Sequence, residues 1–213
     1  VFWHGYSLTL WSTVTGSIPA DIALCTHVKM VRMNSLSLQG SLPDAIGGLQ
    51  HLEGLSIRQN FVRGSIPDAF ARLEHLQDLL IDQNYLQGSL TDTLIRRLVD
   101  LRRVNFAANL LAGSLPKDGW RRVEDFRLSM NRFTGQVPWG CHIFELFDNF
   151  FAGTLPADLD HPVNDEYVVF RAEFNRLSGS LPSQASQGHG PWAFYLSFNR
   201  ITGTLPDGRF QIL

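Results

Sequence analysis

Apolar residues recur along this chain in a fixed frame, with neither the period of a long helix nor the alternation of a long strand. One stretch places Leu52, Leu55, Ile57, Val62 and Ile66 among polar or small residues, and the next repeats it as Leu76, Leu79, Ile81, Leu86 and Leu90. Later stretches carry the central pair as Val104 and Phe106, Phe126 and Leu128, Phe144 and Leu146, Phe194 and Leu196. Two apolar residues separated by one predict a short strand whose alternate side chains point inward. A Gly-x-(Ile/Leu/Val)-Pro element follows each strand, beginning at Gly16, Gly40, Gly64, Gly113, Gly135, Gly153, Gly179 and Gly203, with Gly88 opening a variant that has Thr91 for Pro. Successive spacings, with Gly88 counted, are 24, 24, 24, 25, 22, 18, 26 and 24 residues. Four residues before seven of these glycines stands an asparagine: Asn60, Asn84, Asn109, Asn131, Asn149, Asn175 and Asn199.

Physical chemistry gives each position a task. Strands from successive turns pair in parallel about 4.8 Å apart. An inward asparagine satisfies backbone groups where the chain bends after the strand. Glycine permits the tight path, and proline stops the strand from extending. One turn cannot bury its apolar side alone, whereas stacked turns can. Few residues separate each proline from the next strand, so regular helix is expected to be scarce. The 18-residue spacing from Gly135 to Gly153 predicts a bare loop and a local change of curvature.

The frame resembles the plant-type leucine-rich repeat, LxxLxLxxNxLxGxIP, over nearly the whole chain. Departures are Leu36 in an asparagine position, Ala172 in a strand leucine position, and a loosely matched first turn. The resemblance implies an α/β solenoid, a right-handed superhelix with a parallel β-sheet on its concave face and short helices or loops on its convex face. It implies a single domain, residues 1–213, of about nine repeats of roughly 24 residues.

Outward strand positions define the candidate site. One column reads Ser56, Leu80, Asn105, Arg127, Glu145, Arg171, Tyr195; the next reads Arg58, Asp82, Ala107, Ser129, Phe147, Glu173, Ser197. A third reads Gln59, Gln83, Ala108, Met130, Asp148, Phe174, Phe198. Aromatic residues beside arginine are typical interface anchors. The concave binding candidates are therefore Arg127, Glu145, Phe147, Arg171, Phe174, Tyr195 and Phe198, with Glu145 between two arginines that it partly neutralises. The position after each asparagine is also expected to face out, which makes Phe61, Tyr85 and Leu110 an exposed apolar strip.

Composition narrows the reading. Formal net charge is −2, which argues against a nucleic-acid coat. The cations are 16 arginines and two lysines, and arginine suits fixed contacts with carboxylate or phosphate. Arg96, Arg97, Arg102, Arg103, Arg121 and Arg122 cluster, but Asp92, Asp100, Asp118, Glu124 and Asp125 are interleaved with them, as on a solvated mixed-charge face. His27, His51 and His75 lie one repeat apart; a linear column converges poorly on a metal, and no metal or cofactor is expected. Cys25 and Cys141 fall in apolar positions of the frame and read as small buried hydrophobes. No apolar run is long enough for a membrane span, and residues 1–5 show neither an initiator Met nor a signal-peptide pattern, as expected of a processed or trimmed chain.

No phosphate loop, H-E-x-x-H or G-x-S-x-G motif occurs, so no catalytic residue is assigned. Paired-cysteine caps and N-x-Ser/Thr sequons are absent, so the expected function is a non-catalytic interaction scaffold, an accessory subunit of a larger, membrane-associated assembly. Protein partners would cover an uncapped end or the concave face, and the aromatic first turn would cap itself or dock to one. The alternative is a ligand-binding ectodomain that recognises a peptide or glycan. The corresponding compartments are an organellar or membrane-associated complex and the extracellular space.

Overall fold

The structure is a computed structural model and describes residues 2–4, 6–10, 15–117, 119–120, 122–137, 143–155, 168–181, 192–204 and 210–212. Its main sheet has eleven strands: Phe2–His4, Ser7–Thr9, Met30–Arg32, Gly54–Ser56, Asp78–Leu80, Arg103–Asn105, Asp125–Arg127, Ile143–Glu145, Val168–Arg171, Trp192–Tyr195 and Phe210–Ile212. All neighbours pair in parallel except the first two, where Phe2–His4 folds back antiparallel on Ser7–Thr9. That hairpin supplies the first turn with its own edge strand.

The register aligns Val31, Leu55, Leu79, Val104, Phe126, Phe144, Phe170 and Phe194 in one inward column, and each is almost fully buried. The core changes character along the stack. Its first half is aliphatic, and its second is a run of touching rings: Phe126–Phe144, Phe144–Phe170 and Phe170–Phe194, with centroids 6.4, 5.4 and 5.8 Å apart. Trp120 packs on Phe126 at 4.6 Å, and its indole N–H donates to the Pro116 carbonyl at 2.7 Å, so the one polar atom of that buried ring is satisfied.

A second parallel sheet of seven strands runs along the side: Arg63–Gly64, Tyr85–Gly88, Leu110–Ser114, Arg132–Gly135, Phe150–Thr154, Arg176–Gly179 and Arg200–Ile201. It forms because the residues after each asparagine also alternate. In Arg132-Phe133-Thr134, for example, only the phenylalanine is buried.

The convex side holds 3-10 helices at Ala20–Leu24, Asp44–Gly48 and Asp68–Arg72, and an α-helix, α1, at Asp92–Arg97. The sequence explains the difference. Each 3-10 helix is preceded by a proline, Pro19, Pro43 or Pro67, which makes no side-chain cap. Before α1 stands Thr91, whose hydroxyl oxygen accepts from the Leu94 N–H at 3.2 Å, the N-cap contact that steadies an α-helical first turn. Replacing Thr91 by alanine is expected to cost about 1 kcal/mol of stability, measurable by urea unfolding; an unchanged midpoint would show that the cap contributes nothing. The expected loop between Gly135 and Gly153 lies largely outside the described residues.

Candidate functional site

The candidate site grows from the bend after each strand of the main sheet. Six asparagines, Asn60, Asn84, Asn109, Asn131, Asn149 and Asn175, are buried there, and Asn199 is half-buried. Asn131 shows the bonding. Its Oδ1 accepts from the Leu111 N–H of the preceding turn at 3.0 Å. Its Nδ2 donates to the Phe106 carbonyl of that turn at 2.9 Å, and to Leu128 and Ser129 of its own at 3.1 and 3.3 Å. Where Leu36 stands in the asparagine position, Asn60 of the next turn compensates, accepting from both the Leu36 and the Leu38 N–H at 3.0 Å.

These bonds set the backbone just before the asparagine. Gln59, Gln83, Ala108, Met130, Asp148, Phe174 and Phe198 all have φ between 53° and 58°, a left-handed conformation that costs a non-glycine residue about 1–2 kcal/mol. The asparagine network outweighs that cost and turns each of these side chains away from the core. Met130, Phe174 and Phe198 are 51%, 53% and 72% exposed. Phe174 and Phe198 stack on each other with centroids 4.3 Å apart and planes 9° apart.

The main-sheet register places Ser56, Leu80, Asn105, Arg127, Glu145, Arg171 and Tyr195 in one concave column. Ser56, Asp82 and Ser129 are buried, a correction to the expectation that these columns face solvent throughout. Short side chains lie below the level of their neighbours, and Arg58 Nε covers the carboxylate of Asp82 at 2.7 Å. Arg127 donates to Asp125 at 2.7 Å and lies 3.6 Å from Glu145. The hydrogen bond to Asp125 is the main cause that holds its guanidinium above the ordinary arginine value. Arg171 sits between two rings, its guanidinium carbon 5.5 Å from the Phe147 centroid and 5.1 Å from that of Tyr195. Its Nη2 donates to Glu173 at 3.4 Å, while its Nε and the other Glu173 oxygen are buried with no hydrogen-bond partner among the described residues. The arrangement is a half-buried aromatic–arginine cluster with spare hydrogen-bonding capacity, edged by the exposed Phe174–Phe198 pair.

At the post-asparagine position, Phe61 and Tyr85 are 45% and 51% exposed and stack at 6.2 Å. Leu110 is only half-buried rather than exposed; a leucine reaches less far from the strand than a ring, so the strip is chiefly two residues long.

The arginine cluster near α1 is internally neutralised. Arg103 pairs with Asp78 through two nitrogens, Arg102 with Glu124 at 3.1 Å, Arg122 with Asp100 at 3.1 Å, Arg97 with Glu74 at 3.9 Å and Arg96 with Asp92 at 3.9 Å; Arg121 lies outside the described residues. His27 and His51 stack at 6.1 Å, and His75 lies 3.8 Å from Asp100. No group of three or more His, Cys, Asp or Glu positioned to hold a metal occurs among the described residues. Cys25 is half-buried against the core with a free thiol; Cys141 lies outside the described residues. No described helix is long and apolar enough to cross a membrane.

No protein-family model and no curated protein sequence matches the chain. Solved structures do. The ectodomain of the Arabidopsis receptor kinase HAESA, in complex with an IDA peptide hormone lengthened at its N-terminus, superposes with a TM-score of 0.83 at 24% identity, over 94% of this chain and 34% of that one. A plant ice-binding protein matches with a TM-score of 0.78 at 24% identity, over 95% of this chain and 67% of the other. The BIR3–SERK2 complex of Arabidopsis thaliana matches at 32% identity with a TM-score of 0.51, over 55% of this chain and 62% of that one. The chain therefore spans about a third of the length of the HAESA ectodomain. Paired parallel strands, the inward asparagines and these superpositions together show that the chain has the leucine-rich-repeat solenoid fold.

Proposed function

We propose that this solenoid is a non-catalytic protein-binding module whose concave C-terminal half takes an extended peptide segment of a partner. The observation that carries the reading is Arg171, held between Phe147 and Tyr195 with buried polar atoms left unpaired. Such a cluster is costly to leave unmatched, and a peptide backbone laid across it offers both the acceptor that the Arg171 Nε–H lacks and the donor that the Glu173 oxygen lacks. Aromatic and arginine side chains in partly desolvated positions dominate binding energy. Solenoids of this fold offer a long concave surface to an extended chain, and the HAESA ectodomain holds a peptide hormone.

The same surface serves two biological settings. In a scaffold subunit, the reading expected first from sequence, the segment belongs to a permanent companion. In an ectodomain it belongs to a diffusible ligand. Affinity capture of the tagged protein from its native cells at high salt separates them: stoichiometric companions mean a scaffold, and a protein that runs alone means an ectodomain. In either case Arg171→Ala is expected to weaken binding of the captured partner or its peptide about ten- to a hundredfold, read by calorimetry on the folded variant. Unchanged affinity in that variant and in Phe147→Ala sinks the concave-face reading.

A further inference from the structure

The second sheet carries a feature that the concave site does not use. In the C-terminal half its outermost row reads Arg132, Phe150, Arg176, Arg200. All three arginines are exposed, and none makes an ion pair among the described residues. The arginines near α1 and those of the concave column are paired with carboxylates. Among the described residues, the other exposed arginines without an ion pair, Arg32, Arg63 and Arg72, lie in other columns of the first three turns.

Three observations make this row a shelf built for an anionic chain. The register sets Arg132 beside Ala112, Arg176 beside Ala152 and Arg200 beside Ser178, so each guanidinium rises next to a small residue and is open to approach. Arg176 lies over the Phe150 ring, its guanidinium carbon 4.8 Å from the centroid; stacking fixes the planar fork while its N–H groups stay available to a carboxylate. The adjacent Phe174 and Phe198 stack face to face, so they turn ring edges outward, and the edge is the positive part of an aromatic ring.

We infer that the row Arg132–Phe150–Arg176–Arg200 is a second docking surface, and that its occupant is an extended acidic protein segment carrying aromatic or aliphatic side chains between its carboxylates. Charge complementarity commits the occupant. The arginines demand anions, and the exposed Phe174 and Phe198 beside them accept apolar groups. An anionic lipid surface fits less well, because exposed Asp148 lies in the same ridge and repels it, while a peptide places a neutral residue there. The inference extends the concave-face reading, with which it shares only Phe174 and Phe198.

The test uses the whole chain and a fluorescein-labelled peptide of alternating Glu and Phe, with alternating Lys–Phe and Ser–Phe peptides and phosphatidylserine vesicles as comparisons. The expected result is saturable binding of the Glu–Phe peptide alone, weakened about ten- to thirtyfold by joint replacement of Arg132, Arg176 and Arg200 with serine. Arg171→Ala should leave that binding within about twofold. All three arginines are exposed, so circular dichroism and thermal unfolding should show the triple variant folded. Equal binding of the Ser–Phe peptide, binding of vesicles in place of the Glu–Phe peptide, or no binding at all overturns the inference. Loss of binding in Arg171→Ala but not in the triple variant also overturns it and returns the peptide to the concave face. Loss in the triple variant alone keeps the shelf whether or not the concave reading survives.

Discussion

Asn131→Ala is expected to lower the unfolding free energy by about 2–4 kcal/mol, while Asn199→Ala, at the half-exposed end of the same column, should cost about 1 kcal/mol or less. The two residues make the same kinds of bond. Asn131 serves Leu111, Phe106, Leu128 and Ser129; Asn199 serves Leu177, Ala172, Leu196 and Ser197. What differs is access to water. The donors Leu111 and Leu177 are both fully buried, but Asn131 is itself buried whereas Asn199 is half-buried, so water cannot replace the acceptor lost at Asn131 and the Leu111 N–H is left without one. Asn131 also holds Met130 at φ 58°, and the released bend can relax only by disturbing the turns on either side. Near Asn199 water can take over part of the bonding. Each turn is stabilised mainly through its neighbours, so a fault in the middle damages two interfaces where a fault near the end damages one. Urea unfolding of the two variants beside the unaltered chain measures the contrast. Equal losses would mean that the column acts through local turn propensity, with burial unimportant.

The same column shows why much of the fold was legible in the sequence. An inward position that must donate and accept at once, in a space closed by two turns, admits few residues besides asparagine, so the requirement is written in the residue type. The strand pair Phe126 and Leu128 is equally explicit, because alternation fixes which face is buried. The left-handed position before each asparagine is not explicit. It carries Gln, Ala, Met, Asp and Phe, without the glycine that would announce it, because the constraint is imposed by the asparagine next to it. The second sheet had a signal that a search for period two beyond the asparagine would have found: Phe61 and Arg63 exposed with Val62 buried, Arg132 and Thr134 exposed with Phe133 buried. The pairing of charges is a third kind of fact. Arg103 and Arg132 look alike in the sequence; only the register shows that Asp78 stands beside the first and Ala112 beside the second. The concave cluster lies between these cases. Its columns follow from counting, but the rings that flank Arg171 and the burial of Asp82 depend on side-chain packing across turns.

The second large effect concerns two adjacent glycines. Gly47 and Gly48 close the 3-10 helix Asp44–Gly48, and the positions one repeat away from Gly47 hold Ala23 and Ala71. Repeat consensus therefore recommends Gly47→Ala as a stabilising change, and the loss of glycine's unfolded-state freedom points the same way. Packing reverses the sign. A Cβ at Gly47 would lie 2.3 Å from the carbonyl oxygen of Ala69 and 2.7 Å from its carbonyl carbon. Both are backbone atoms of the next convex turn, so no side-chain rotation relieves the contact. The two turns would have to separate where Ile46 and Phe70, both fully buried, lie under them. We expect Gly47→Ala to destabilise the protein by about 2–4 kcal/mol. At Gly48 the nearest atom to an added Cβ is the Cβ of Ala23 at 3.7 Å, an ordinary contact, and Gly48→Ala should be neutral or stabilising by up to about 1 kcal/mol. Identical chemistry at neighbouring positions thus isolates the close approach of one turn to the next. If chemical denaturation shows both alanines to be tolerated, the convex turns are not packed at backbone distance. The parallel sheets and the asparagine column would then hold the stack without them.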